Sequence, residues 1–171
     1  CLDLLRRLGT RIAFFSPIRD DRLPEGVCGL YLGGGYPELH ARELSNNTDM
    51  RGAIKEAIAA GMPTIAECGG FLYLHETLED VSGEAWPMVG ALAGAAVKGE
   101  RLGRFGYVTL TARHDGLLAR EGASLPAHEF HYWQTSRHDE AFRAQKPQSV
   151  RGWDCGVQSA TLYAGFPHLY L

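Results

Sequence analysis

Apolar residues in this chain come either in short unbroken runs or in longer stretches where they recur every three or four positions. Leu2, Leu4, Leu5 and Leu8 follow the second pattern and stop at Gly9, which predicts a helix closed by a C′ glycine. Residues 11–16, with Ile12, Ala13, Phe14 and Phe15, read as a buried strand, and 17–26 as a charged loop. A second strand over 27–32 runs into Gly33-Gly34-Gly35. Pro37 opens a short helix over 37–44, since proline is tolerated in a first turn. Met50, Ala53, Ile54, Ala57 and Ile58 share one stripe of a helix over 49–60, which Gly61 ends. A third strand, 62–66, follows, and after Glu67-Cys68-Gly69-Gly70 comes the helix-like run Phe71-Leu72-Tyr73-Leu74.

Alternation of strand and helix predicts an α/β fold, a mostly parallel central sheet with helices on both faces. Such a sheet presents functional residues at the carboxyl ends of its strands. The glycine run and Cys68 both stand there. Beyond residue 88 the texture changes: 89–97 is rich in Ala and Gly, 105–111 alternates like a strand, and 113–126 and 136–153 read as polar loops. The final run, 159–171, is strand-like and carries His168 near its end.

A strand that turns abruptly into a helix lifts a short nucleophile out of the sheet, and small residues after it relieve the crowding. Cys68 holds that position. Unpaired N–H groups at a helix start favour thiolate over thiol, which is the form that attacks. A buried structural cysteine is the competing reading. A thiol nucleophile also needs a base, and a histidine distant in sequence usually supplies it. His168 follows the last strand-like run and is expected at the same sheet edge. Gly34, Gly35 and Gly69 let backbone N–H groups approach a developing oxyanion closely.

Composition narrows the choices. At 171 residues with 45% hydrophobic content the chain suits one domain, and a formal charge of -3 gives no footprint for nucleic acid or an anionic membrane. No apolar run reaches the ~18–20 residues that cross a bilayer, and no secretory leader is read, so a cytoplasmic protein is expected. The cysteines at 1, 28, 68 and 155 form no C-x-x-C pair and are expected to be reduced. His128 and His131 do not have zincin spacing, and on a strand their rings face opposite ways, so no metal site is expected.

Taken together, Gly29-Leu30-Tyr31-Leu32-Gly33-Gly34-Gly35-Tyr36-Pro37-Glu38, Ala66-Glu67-Cys68-Gly69-Gly70-Phe71-Leu72-Tyr73-Leu74, Gly106-Tyr107 and His128-Glu129-Phe130-His131-Tyr132 resemble the class I glutamine amidotransferases. More narrowly they resemble the glutaminase domain of cobyrinic acid a,c-diamide synthases, over nearly the whole chain. The resemblance implies Cys68 as nucleophile, His168 as its activator, and Gly35 and Gly69 as oxyanion donors. It departs at Trp133, where the family tends to have Ser, and at Gly165-Phe166-Pro167-His168-Leu169-Tyr170, a loose form of the family's ending. Tyr170 stands where many class I glutaminases carry a third, acidic triad member, which the cobyrinate branch also lacks.

The implied chemistry is release of ammonia from glutamine, for ATP-dependent amidation of a corrin precursor on a separate synthetase domain. This chain has no phosphate-cradling G-x-x-x-x-G-K-[ST] motif, so ATP and Mg are expected on that other domain. The chain opens within a helix-like element, which predicts that it is part of a longer polypeptide. Arg101, Arg104, Tyr107, His128, Glu129 and His131 are polar beyond a bare glutaminase's needs. They read either as a face toward the synthetase domain or ammonia path, or as a solvated strand edge. A non-catalytic module with this fold, or another Cys-dependent amide hydrolase, stays open at this level.

Overall fold

A computed structural model describes residues 2–100 and 102–170. At its centre is a four-stranded sheet in the order Leu30–Leu32, Thr64–Glu67, Leu162–Gly165, Val157–Gln158, with the first three strands parallel and the last antiparallel. Thr64–Glu67 is paired on both sides, to Leu30–Leu32 in the register Leu32↔Ala66 and to Leu162–Gly165 in the register Glu67↔Gly165. The strand that delivers the cysteine is therefore internal to the sheet.

Side chains alternate across a strand, and here the alternation separates two cores. Leu30, Leu32, Ala66, Leu162 and Ala164 pack with helix residues Ala41, Leu44, Met50, Ile54 and Phe71. Ile65 and Tyr163, on the opposite face, pack with Val108, Leu110, Phe142, Ala144 and Leu169. That second face is covered by an antiparallel sheet rather than by helices. Its order is Gly152–Cys155, Phe142–Gln145, Arg104–Ala112, Ser124–His131, His168–Leu169. A third sheet, in the order Ala85–Pro87, Thr77–Glu79, Ala95–Lys98, Trp133–Thr135, adds to the helix-side core through Leu78 and Ala96.

The helical stripe folds as its spacing predicts. Thr48–Ala59 is a helix with Met50 and Ile54 fully buried, and Gly61 follows at φ +83°. Asn47 caps it: its side-chain oxygen accepts from the Met50 amide at 3.2 Å, while its NH2 donates to Pro17 O and Asp20 O. Capping thus also fastens the charged loop to the helix start.

Three stretches differ from expectation. Residues 11–16 form no strand, and Phe14 is 73% exposed, because Leu30–Leu32 ends the sheet and no described strand pairs with its outer edge. The polar stretches 113–126 and 136–153 contain parts or all of the strands Ser124–His131, Phe142–Gln145 and Gly152–Cys155. In each, inward residues such as Ala127, Phe142, Ala144 and Cys155 are buried, while outward charges make the run look polar overall.

Candidate active site

The turn between Thr64–Glu67 and the helix Gly69–Tyr73 holds Cys68 at φ 49°, ψ −103°, a backbone conformation rare for a residue with a side chain. A hydrogen bond from the Cys68 amide to Gly165 O (2.8 Å) secures it to the neighbouring strand. The following residue is confined: a Cβ at Gly69 would lie 2.8 Å from both Gly35 N and Gly35 O. The glycine loop and the elbow are thus in backbone contact. Gly35 N has no hydrogen-bond acceptor among the described residues.

His168 arrives from the other sheet. Its two-residue strand pairs with Ser124–His131 in the register His168↔His128, and its ring lies against the glycine loop. A Cβ on Gly34 would stand 2.5 Å from His168 Cε1. Cys68, Gly35 and Gly69, and Gly34 with His168, therefore converge at one place. No direct hydrogen bond joins Cys68 to His168; the thiol's hydrogen-bond contact is Phe130 O at 3.8 Å. Gly34→Ala must displace the imidazole, and misplacing a catalytic group by about 1 Å can cost about 10²-fold. We expect Gly34→Ala to lower turnover by that order while leaving the melting temperature nearly unchanged, as steady-state assays and thermal melts will show.

The thiol's environment reverses one expectation. Burial pushes the Cys68 pKa up to about 11, and the Glu38, Glu129 and Glu67 carboxylates add to the rise. The Gly69 amide works the other way but does not prevail. The helix behind the cysteine has five residues, too short a dipole to outweigh desolvation and three acids. Resting Cys68 is therefore a thiol, and attack requires a proton acceptor. Without substrate, alkylation of Cys68 by iodoacetamide should be slow at pH 8 and keep rising toward pH 11, whereas a thiolate site would already have reached its plateau; rates measured across this range distinguish them.

The remaining polar residues divide by face. Glu129 and His131 point inward. Glu129 is fully buried and accepts from His131 Nε2 (2.9 Å) and Trp153 Nε1 (3.1 Å), with Arg104 at 3.7 Å. His131 Nδ1 faces Trp133 O at 2.6 Å, and its ring stacks on Phe166 at 3.7 Å. This pair braces the interior rather than lining a surface. The departure at Trp133 is also internal, with its indole donating to Glu79 O. His128 and Tyr107 lie on the outer face, edge to face with one another at 5.4 Å. Arg101 lies outside the described residues.

Glu67 and Phe130 gained no role from sequence, although both stand in quoted motifs. Phe130 O is the thiol's neighbour. Glu67, 4% exposed, accepts from Tyr31 OH at 2.5 Å and from the Leu169 amide at 2.9 Å. Burial and this carboxylate raise the Tyr31 pKa, so the phenol stays a donor.

Comparison with known proteins gives the family and the fold. Residues 2–171 match the model of the CobB/CobQ-like glutamine amidotransferase domain. A cobyrinate a,c-diamide synthase from Caldanaerobacter subterraneus subsp. tengcongensis is 39% identical over 172 residues, 99% of this chain and 38% of that protein. A cobyrinate a,c-diamide synthase from Salmonella typhimurium is 38% identical over 173 residues, again 99% of this chain and 38% of the relative. This chain thus spans 38% of the length of these curated relatives. Among solved structures, a glutamine amidotransferase superposes with a TM-score of 0.65 at 18% identity, covering 97% of this chain and 82% of the other. A putative GMP synthase component from Thermoplasma acidophilum gives 0.56 at 18% identity, covering 97% and 75%. These two share the fold. With the family model matched over nearly its whole length, this chain belongs to the CobB/CobQ-like glutamine amidotransferase domain family.

Proposed function

We propose that this chain is the glutaminase part of an enzyme of the cobyrinate a,c-diamide synthase kind, supplying ammonia for amidation of the a and c carboxylates of cobyrinic acid or its cobalt-free counterpart. The observation that carries the reading is the convergence of a positive-φ cysteine, its glycine neighbour against the Gly35 backbone, and His168 against Gly34. His168 takes the Cys68 proton as the thiol attacks the glutamine side-chain carbonyl. The resulting oxyanion is received by the Gly35 and Gly69 amides. His168 then returns the proton to the leaving nitrogen, ammonia departs, and a glutamyl thioester remains. Water, deprotonated by His168, cleaves the thioester to glutamate and restores the thiol. The raised thiol pKa makes the proton transfer to His168 part of the attack rather than a step completed beforehand.

The relatives are much longer than this chain. We assign ATP, Mg and acceptor activation to the part of such an enzyme outside it, and glutaminolysis, a cytoplasmic reaction, to this part. Its docking surface is the outer face beside the thiol. Phe105, Tyr107, Phe130 and Tyr132 are exposed there and joined to His128 or to each other by edge contacts of 5.4–5.9 Å. Aromatic patches of this kind favour protein contacts. Phe130 O also lies 3.8 Å from the Cys68 sulfur, so a domain seated here closes over the ammonia source. In a full-length protein, Tyr107→Glu should leave glutamate release intact but cut glutamine-dependent diamide formation by about tenfold, with ammonia-dependent formation unaffected. Glutamate and diamide measured in the same reaction decide it; equal coupling in variant and parent would place the docking surface elsewhere.

A further inference from the structure

His168 sits in a weakly held place for a base. Its strand has two residues and pairs on one side only, and no hydrogen bond to its imidazole exists among the described residues. The acidic third member that orients such a ring elsewhere is replaced by Tyr170, which is 81% exposed. Yet the adjoining peptide is gripped. The Leu169 amide donates to Glu67 Oε1 at 2.9 Å, and Glu67 Oε2 takes the Tyr31 hydroxyl at 2.5 Å. Glu67 ends the internal strand Thr64–Glu67, bonded on both flanks, and immediately precedes the nucleophile.

We infer that Glu67, held by Tyr31, is the positioning residue for His168: it fixes the His168–Leu169 peptide relative to Cys68 and so does through the backbone what a triad acid does through the ring. A buried carboxylate accepting a backbone N–H makes a strong, directional contact. Here it joins base and nucleophile through a single residue. The distance between Cys68 and His168 is then set by the central strand rather than by the short strand that carries the imidazole. Tyr31 completes the arrangement, since it satisfies the second carboxylate oxygen and limits its rotation.

This inference rests on the glutaminase reading, and a double-mutant cycle in the full-length protein separates the two. Glu67→Ala should lower kcat for glutamate release about 10²-fold, with KM for glutamine changed less than about threefold. Added to His168→Ala, it should cost less than about threefold more, because the base it positions is already gone. Glu67→Gln keeps an acceptor for Leu169 and a partner for Tyr31, and should restore turnover to within about fivefold of the parent. Should Glu67→Ala fail to fold by thermal melt, Tyr31→Phe carries the test, with a kcat loss of about five- to tenfold that disappears in the His168→Ala background. Losses that multiply undiminished in that background, or full turnover in Glu67→Ala, would overturn the positioning role. Full turnover in His168→Ala would instead remove His168 as the base, whereas no glutamate release by the parent protein would overturn the glutaminase reading itself.

Discussion

Cys68→Ala in a full-length protein is expected to abolish glutamine-dependent diamide formation while leaving ammonia-dependent formation intact. The sulfur is the only group at the elbow able to form the thioester, so glutaminolysis stops outright. Amidation with free ammonia does not pass through it. The substitution also leaves the scaffold in place: alanine is smaller than cysteine, and the thiol's hydrogen-bond contact is a 3.8 Å approach to Phe130 O. The φ of 49° strains alanine as it strains cysteine, so the elbow's conformational cost is unchanged. Both nitrogen sources are measured on one preparation. Loss of both activities in a folded variant would give Cys68 a part in the amidation reaction, against the two-site division proposed above.

His168→Ala should reduce glutamate release by about 10² or more, the scale of a positioned acid and base. The effect should exceed what a preformed thiolate would show, because burial and three carboxylates hold Cys68 protonated and the His168 imidazole lies against the glycine loop. The neighbouring His128 provides the comparison. It is directly across the strand pair from His168, so His128→Ala tests whether proximity alone suffices. The steady-state kcat of the two variants is the measurement: a loss confined to His168→Ala is expected, and an equal loss in His128→Ala would reassign the base.

The elbow was legible because its determinants are local. Strand, strained turn and helix lie within a few residues, and glycines beside a cysteine carry the turn chemistry openly. His168 was less so: its place after the last strand-like run pointed to it and the motif resemblance implied it too, but its position depends on a strand pairing with His128 that no local pattern encodes. Glu67 shows the limit more sharply. Its partners lie 36 and 102 positions away, and only the folded register brings Tyr31 and Leu169 to its two oxygens. The thiol's protonation was misread for the same reason. A helix start is visible in sequence, whereas burial of the sulfur and the proximity of Glu38 and Glu129 come only from tertiary structure.

Strands were missed where charge on one face hid burial on the other. Arg143 and Gln145 alternate with the fully buried Phe142 and Ala144, too short a run for the period to stand out. The reverse error occurred at 11–16, where an apolar run suggested a strand that has no partner in the sheet. Apolar content predicts burial only where something is present to bury against.

Labelling with an electrophilic glutamine analogue shows whether Cys68 attacks glutamine with His168 as its proton acceptor. Peptide mapping of the parent should place the adduct on Cys68 ahead of the exposed Cys28 and the buried Cys155. Excess glutamine should protect Cys68, and His168→Ala should slow its modification by about 10²-fold. Labelling spread evenly over the cysteines would mean that Cys68 is not the nucleophile, and modification of Cys68 at the parent rate in His168→Ala would mean that His168 is not its base.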